Sequence, residues 1–207
     1  GSGTGIPTYT WTGPGIVYGA NTAKPTINLP GTYSLLVTSS GCTSTPAATV
    51  AVTQNIVPPV PTAGTSGTIT CVTLTAALNG GPGTGVTYLW TGPGVSGSPT
   101  TQNTSASAPG TYTLKVTSAT NGCTNTAVTS VTQNTTPPVP TANTGGSITC
   151  ISSSVTLNGT PGTGVTYLWS GPSITGANNI QNTNANAPGT YTLQVTNSIN
   201  GCAATAT

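Results

Sequence analysis

The side chains with the clearest chemistry in this 207-residue sequence are its five cysteines: Cys42, Cys71, Cys123, Cys150 and Cys202. A cysteine thiol can form a disulfide, bind a metal ion or act as a nucleophile. The chain has no His, Asp or Glu, so it offers no general base to activate a nucleophile, and the cysteine spacing is not that of a zinc site. The cysteines therefore predict disulfides, which form and persist in an oxidising, extracellular environment.

The composition is almost free of charge. Charged residues make up 1% of the chain, against roughly 25% in an ordinary soluble domain, and the two cations, Lys24 and Lys115, stand alone and give a net charge of +2. Such a chain has no basic surface for nucleic acid or an anionic membrane, and no apolar run approaches the ~20 residues of a transmembrane helix. We therefore predict no enzymatic activity, no cofactor, no metal, no nucleic-acid partner and no membrane insertion.

The sequence is an internal repeat, and the elements of the fold must follow its period. Trp11, Trp90 and Trp169 are spaced by 79, and the segment Pro-Gly-Thr-Tyr recurs at the same spacing, starting from Pro30. Longer segments such as Val-Thr-Gln-Asn and Pro-Pro-Val-Pro-Thr-Ala each occur twice in the same phase. The chain therefore consists of copies of one structural unit.

Within each repeat, apolar residues alternate with polar ones. Tyr112, Leu114 and Val116 lie on one side of a predicted strand, with Lys115 on the other, and the same period of two recurs before each Trp. Gly and Pro punctuate the chain at short intervals, as turns between short strands do. About seven short strands per repeat predict an all-β protein of tandem antiparallel β-sandwich domains, with no helix of any length.

The phase of the repeat predicts three domains. Residues 56–134 form one complete sandwich, with Trp90 and Tyr112 in its core and Lys115 in solvent. Residues 1–55 form an incomplete sandwich whose opening strands are missing, and residues 135–207 form one that lacks its last strand. Proline-rich stretches at 57–63 and 136–142 are predicted to be short, stiff linkers, because Pro restricts its own backbone and that of its neighbour.

The repeat suggests how the cysteines pair. The residue numbers of Cys71 and Cys123 differ by 52, and so do those of Cys150 and Cys202. The simplest prediction is therefore one disulfide within each repeat, with Cys42 unpaired or bonded to another chain. A rival pairing, Cys42 with Cys71 and Cys123 with Cys150, would join consecutive repeats and leave Cys202 over. The spacing alone does not prove either pattern.

Several segments resemble a known family. They are Tyr-Leu-Trp-Thr-Gly-Pro from Tyr88, Ala-Pro-Gly-Thr-Tyr-Thr-Leu-Lys-Val-Thr from Ala108, Asn-Gly-Cys-Thr from Asn121, and Val-Thr-Gln-Asn-Thr-Thr-Pro-Pro from Val131. Together they resemble the Ig-like and PKD-like repeats of large surface adhesins and fibre proteins of Bacteroidetes. The resemblance implies tandem Ig-like sandwiches in an extracellular or cell-surface protein without enzymatic activity. This chain departs from the family in carrying Asn where those repeats carry Asp in the Val-Thr-Gln-Asn segment.

Glycosylation is a second expectation. The sequence motif for N-glycosylation begins at Asn103, Asn134 and Asn158. In the family that the chain resembles, O-glycans are carried by Thr or Ser preceded by Asp; with Asn in that place, the resemblance points to Thr22, Thr126, Thr135 and Ser198. An uncharged protein needs another hydrophilic coat to remain soluble, which favours covalent glycans.

Two functions agree with these features. The first is a structural subunit of an extracellular fibre, built from end-to-end domains, in which copies of the chain associate head to tail. The open domains are then completed either by further repeats of a longer tandem chain or by strands of a neighbouring chain. The alternative is a segment of a cell-surface adhesin that binds a glycan or another surface, because the repeats differ mainly in loops 95–107 and 173–186. We predict the fibre subunit.

Overall fold

The computed structural model describes residues 5–207, and throughout this range the regular structure is β-strand without helix. The prediction of an all-β chain is confirmed. By its internal contacts the chain divides into two compact units, one ending at Val57 and the other running from Pro58 to Thr207.

The first unit is built around one long central strand. The fourth strand pairs antiparallel with the first, fifth and sixth strands, while the second and third strands form a separate ribbon. The strands are β1 (Thr8–Thr12), β2 (Ile16–Tyr18), β3 (Thr26–Ile27), β4 (Gly31–Ser39), β5 (Cys42–Thr43) and β6 (Ala48–Val52).

The second unit contains repeats two and three, and each repeat folds into two three-stranded sheets. The strands of repeat two are β7 (Thr62–Ser66), β8 (Ala76–Gly81), β9 (Val86–Thr91), β10 (Asn103–Ala106), β11 (Gly110–Ser118) and β12 (Thr124–Val131). Those of repeat three are β13 (Thr141–Thr144), β14 (Val155–Thr160), β15 (Val165–Ser170), β16 (Asn182–Ala185), β17 (Thr192–Asn197) and β18 (Ala203–Ala206).

The strand order is the same in both repeats. The first, second and fourth strands of a repeat form one antiparallel sheet, and the third, fifth and sixth form the other. Before β8, Ile69 forms a parallel bridge with Gln133, just beyond β12, so the opening segment of the repeat changes from one sheet to the other. This order and the exchange of the first segment define tandem Ig-like sandwiches.

The core of repeat two lies between its sheets, as the alternating pattern predicts. Along β11, Tyr112, Leu114 and Val116 are buried while Lys115 is exposed, and Trp90 of β9 packs in the same cluster. The predicted burial of Trp90 and Tyr112 and the exposure of Lys115 are confirmed. The core of repeat three repeats the set with Leu157, Trp169, Ala185, Leu193 and Val195.

A buried tyrosine, Tyr112, fixes the turn that leads into the fifth strand of repeat two. The Tyr112 hydroxyl donates a hydrogen bond to the Ala108 carbonyl oxygen at 2.7 Å and accepts one from the Gly94 amide at 3.1 Å. This is a tyrosine corner, a hallmark of Ig-like folds. A Cβ added at Gly92 would overlap the ring of Tyr112, which explains the glycine that follows each Trp by two residues.

We expect Tyr112→Phe to lower the free energy of unfolding by about 1–2 kcal/mol, since the ring stays packed while a half-buried carbonyl and a half-buried amide lose their partner. Urea unfolding of the 207-residue chain measures the change. Tyr18→Phe is the matched control, because Tyr18 is largely exposed. An equal effect of both substitutions would contradict the role given to the Tyr112 hydroxyl.

Candidate structural site at the repeat junction

A disulfide joins two consecutive repeats. Cys71 of repeat two is bonded to Cys202 of repeat three, with their Cα atoms 5.1 Å apart. The predicted bonds Cys71–Cys123 and Cys150–Cys202 are therefore wrong, and so is the rival pairing, because both assign Cys71 to another partner. Within residues 5–207, Cys42, Cys123 and Cys150 remain thiols, and the prediction that Cys42 is unpaired or bonded to another chain stays a prediction.

The sandwich itself explains why a bond within one repeat fails. Ile69 pairs with Gln133, so Cys71 lies near the end of β12, whereas Cys123 lies immediately before the start of that strand. Ten residues of extended chain separate Cys123 from Gln133, on the order of 30 Å at ~3.4 Å per residue. Disulfide geometry allows Cα atoms to be no more than ~7 Å apart. The two cysteines of one repeat thus lie at opposite ends of it, and Cys71 lies at the end that contacts repeat three.

Cys202 is presented by a tight loop between β17 and β18, here called the clasp loop (residues 197–202). Backbone hydrogen bonds close it: the Asn197 amide donates to the Cys202 carbonyl at 2.8 Å, and the Gly201 amide donates to the Asn197 carbonyl at 2.9 Å. Gly201 has a φ of +69°, which favours glycine. The Val72 side chain lies directly against Gly201, because a Cβ added there would be 2.6 Å from a Val72 methyl carbon.

Asn200 is the polar centre of the junction and is only 1% exposed. Its side-chain amide donates hydrogen bonds to Asn134 Oδ1 and to the Thr136 carbonyl oxygen, both at 2.9 Å. Its Oδ1 accepts from the Cys202 amide at 2.9 Å, and its backbone carbonyl accepts from the Cys71 amide at 3.2 Å. One side chain of repeat three therefore binds the linker that leaves repeat two, beside the disulfide that joins them.

We expect Asn200→Ala to lower the free energy of unfolding by about 1–3 kcal/mol, because the buried polar groups of the junction lose their partners. Hydrogen exchange at the Cys202 and Cys71 amides locates the effect, and both should exchange faster. Ile199→Ala is the matched control, since Ile199 is 83% exposed in the same loop. Unchanged protection of both amides in Asn200→Ala would overturn this account.

Sequence reasoning missed the junction because the repeat makes two pairings equally regular. The residue numbers of Cys71 and Cys123 differ by 52, those of Cys71 and Cys202 differ by 131, and both differences fit the repeat. The one local signal was the Asn-Gly-Cys segment, which occurs at residues 121–123 and 200–202. In the clasp loop, the side-chain oxygen of the Asn two residues before the Cys accepts a hydrogen bond from the Cys amide.

The predicted glycosylation residues occupy different environments. Exposed side chains are found at Thr22, Asn103, Thr126, Asn134, Thr135 and Ser198, while Asn158 is half-buried. Asn134 belongs to the junction through its bond from Asn200, and Asn103 Oδ1 accepts from the Gly80 amide at 3.1 Å. Asn158 lies in a central strand between β13 and β16. Their modification stays a prediction.

Apolar grooves are open at the sheet edges of repeat three and of the first unit. In repeat two, β11 pairs with β12 along Gly110–Thr117, whereas in repeat three β17 pairs with β18 only along Leu193–Thr196. The groove left beside residues 189–191 is lined by Leu157, Trp169 and Tyr191, among others. In the first unit, a comparable groove is lined by Trp11, Pro25, Ile27, Tyr33, Val50 and Val52.

Groups of acidic, His or Cys residues that could hold a metal ion do not occur in the part of the chain that the structure describes. In the same part, no helix is long and apolar enough to cross a membrane.

Comparisons with known proteins return similar folds at low sequence identity. No family model matches the chain, and no curated protein matches it. Among solved structures, domains 1–6 of the surface layer protein SbsC match 98% of this chain at 14% identity with a TM-score of 0.30. The chain covers 35% of that structure, so it spans about a third of its length.

Two further structures are similar over nearly the whole chain. The three N-terminal domains of the bacteriophage RB49 highly immunogenic outer capsid protein match 96% of this chain at 12% identity, with a TM-score of 0.32 and 86% of that structure covered. The titin I-band fragment I67–I69 matches 97% at 15% identity, with a TM-score of 0.28 and 87% covered. At this level of identity the likeness concerns the fold alone.

Proposed function

We propose that this chain is a structural subunit of an extracellular fibre, in which Ig-like repeats are joined end to end. The observation that carries the proposal is the junction between repeats two and three, where the Cys71–Cys202 disulfide and the buried Asn200 hold successive domains to each other. Domains on a flexible string need no such connection. A covalent bond between successive domains suits a chain that resists extension and bending.

The linker supports the same function. Residues 137–140 are Pro-Pro-Val-Pro, and consecutive prolines favour an extended, semi-rigid backbone. The start of this segment is also fixed, because Asn200 binds both Asn134 and the Thr136 carbonyl. The disulfide and the Asn200 hydrogen bonds therefore both restrict the angle between repeats two and three.

Association with further copies is part of the proposal. Head-to-tail contacts between copies that repeat along one direction do not close on themselves and build a filament.

The extracellular location and the glycans are part of the same proposal. The disulfide requires an oxidising compartment. Sugars on exposed Thr and Ser hydroxyls would keep a nearly uncharged fibre hydrated. The proposed positions are Thr22, Thr126, Thr135 and Ser198.

Electron microscopy and light scattering of the purified, oxidised 207-residue chain test the proposal together. We expect filaments with a repeating unit of Ig-like domains and a mass that rises with concentration. A folded chain that stays monomeric at all concentrations would contradict the fibre. Capture of a defined glycan by such a monomer would instead support the adhesin.

A further inference from the structure

We infer that Cys150 and Cys123 each form an inter-repeat disulfide of the Cys71–Cys202 kind, with Cys150 in the place of Cys71 and Cys123 in the place of Cys202. Each of them therefore bonds to a cysteine of a further repeat of this sequence. The inference rests on the proposed function and names the covalent contacts of the fibre. In the phase of the repeat, Cys150 corresponds to Cys71 and Cys123 to Cys202. At the sequence separation of 131 that joins Cys71 to Cys202, the partners of Cys150 and Cys123 both lie outside this chain.

The turn that holds Cys150 is already shaped like the bonded one. Around Cys71, the Thr70 amide donates to the Thr73 carbonyl at 2.8 Å, and the Thr73 amide donates to the Thr70 hydroxyl at 2.9 Å. Around Cys150, the Thr149 amide donates to the Ser152 carbonyl at 2.8 Å, and the Ser152 amide donates to the Thr149 hydroxyl at 3.1 Å. The same turn therefore presents a bonded cysteine in one repeat and an exposed thiol in the next.

The loop that holds Cys123 reproduces the clasp loop. The Ser118 amide donates to the Cys123 carbonyl at 2.8 Å, the Gly122 amide donates to the Ser118 carbonyl at 2.9 Å, and the Cys123 amide donates to Asn121 Oδ1 at 2.9 Å. The equivalent bonds of the clasp loop measure 2.8, 2.9 and 2.9 Å. The loop is thus closed in its bonding conformation without a disulfide at Cys123.

Both residues of the apolar contact at the junction have equivalents beside the two unbonded cysteines. Val72, which lies against Gly201 in the formed junction, corresponds to Ile151, which is 99% exposed beside Cys150. Gly122, which corresponds to Gly201, has a φ of +72° and open space where a Cβ would lie. A fully exposed isoleucine next to an exposed thiol fits the glycine face of an Asn-Gly-Cys loop.

The loop of Cys42 is different. It is two residues shorter than the clasp loop and has Ser40 and Gly41 before the cysteine in place of Asn-Gly. The partner of Cys150 is therefore a cysteine in an Asn-Gly-Cys loop, and Cys42 serves as the internal control.

The bond forms by oxidation of two thiols. Cys150 and its partner lose two protons and two electrons and gain one S–S bond, and a small-molecule disulfide such as oxidised glutathione takes up these protons and electrons as it is cleaved to two thiols. The bond links two repeats, whether the second repeat belongs to the continuation of the same polypeptide or to another copy.

Peptide mapping of the native protein under non-reducing conditions, after alkylation of free thiols, tests the inference. We expect the Cys150 peptide only in disulfide linkage with a peptide that contains Asn-Gly-Cys. A partner sequence from outside this chain identifies a continuing polypeptide. If the partner is the Cys123 peptide, a mixture of unlabelled and ¹⁵N-labelled chains is oxidised with glutathione and mapped again. Linked peptides that combine one labelled and one unlabelled half then show that the partner belongs to a second copy.

Three results would overturn the inference: alkylated, free Cys150 in the native protein; linkage of Cys150 to Cys42; or linkage of Cys150 to Cys123 within one molecule. Microscopy separates these failures from failure of the fibre itself. Filaments in which Cys150 is a free thiol would support the fibre and contradict the proposed disulfide at Cys150. A disulfide-linked Cys150 in particles that never elongate would support the disulfide and contradict the fibre.

Discussion

Trp90→Ala is expected to lower the free energy of unfolding of repeat two by about 3–5 kcal/mol, the range for removing a buried aromatic side chain. Trp90 is buried between the two sheets, and its indole N–H donates to the Gln102 carbonyl oxygen at 3.1 Å. The substitution leaves a cavity in the core and an unpaired carbonyl. For an isolated Ig-like domain this is a large part of the total stability.

Urea unfolding of the 207-residue chain, followed by far-UV circular dichroism, measures the loss. Leu89→Ala is the matched control: Leu89 precedes Trp90 on the same strand but points to the opposite face, where it is 42% exposed. We expect less than about a quarter of the effect of Trp90→Ala. Comparable losses from both substitutions would show that the core is not between these sheets.

Removal of the junction disulfide by the double substitution Cys71→Ser and Cys202→Ser is expected to destabilise the second unit by about 4–5 kcal/mol, the magnitude that the chain-entropy model assigns to a loop of this length. The bond closes a loop with a sequence separation of 131. Without the bond, repeats two and three are held together by the linker, the Asn200 hydrogen bonds and the contact of Val72 with Gly201. We expect their unfolding to separate into two transitions.

Calorimetry under non-reducing conditions measures both effects, and the wild-type chain in excess reductant should reproduce the double variant. Cys42→Ser is the control, because Cys42 is an exposed thiol, and it should leave the oxidised protein unchanged. A single transition at the wild-type temperature in the double variant would show that the bond does not couple the repeats.

The fold was predictable because its determinants are local and repeated. Alternation along Tyr112, Leu114 and Val116 defines a strand with one buried face, and the sequence repeat places the same strand in repeat three. The buried Trp90 and the exposed Lys115 follow from that alternation alone. These are properties of a pleated strand that do not depend on its neighbours.

The junction was not predictable in the same way, because it depends on which ends of a sandwich face each other. The sequence spacing of two cysteines says nothing about direction, and only the bridge between Ile69 and Gln133 reveals that Cys71 lies at the far end of the domain from Cys123. The role of Asn200 likewise depends on the linker at Thr136, which is distant in sequence. The repeat period does not distinguish a bond within one repeat from a bond to the next repeat, because both would recur at the same spacing.

The position of the Cys71–Cys202 bond determines how the chain transmits mechanical force. Tension applied at the two ends of the second unit enters at Pro58 and leaves at Thr207, and the disulfide connects the covalent chain directly from Cys71 to Cys202, bypassing the polypeptide between them. Fully extended, the bypassed stretch would measure roughly 450 Å at ~3.4 Å per residue. An intact bond withholds this contour length from any pull and leaves the short segments 58–70 and 203–207 to extend, whereas a reductant releases the whole stretch.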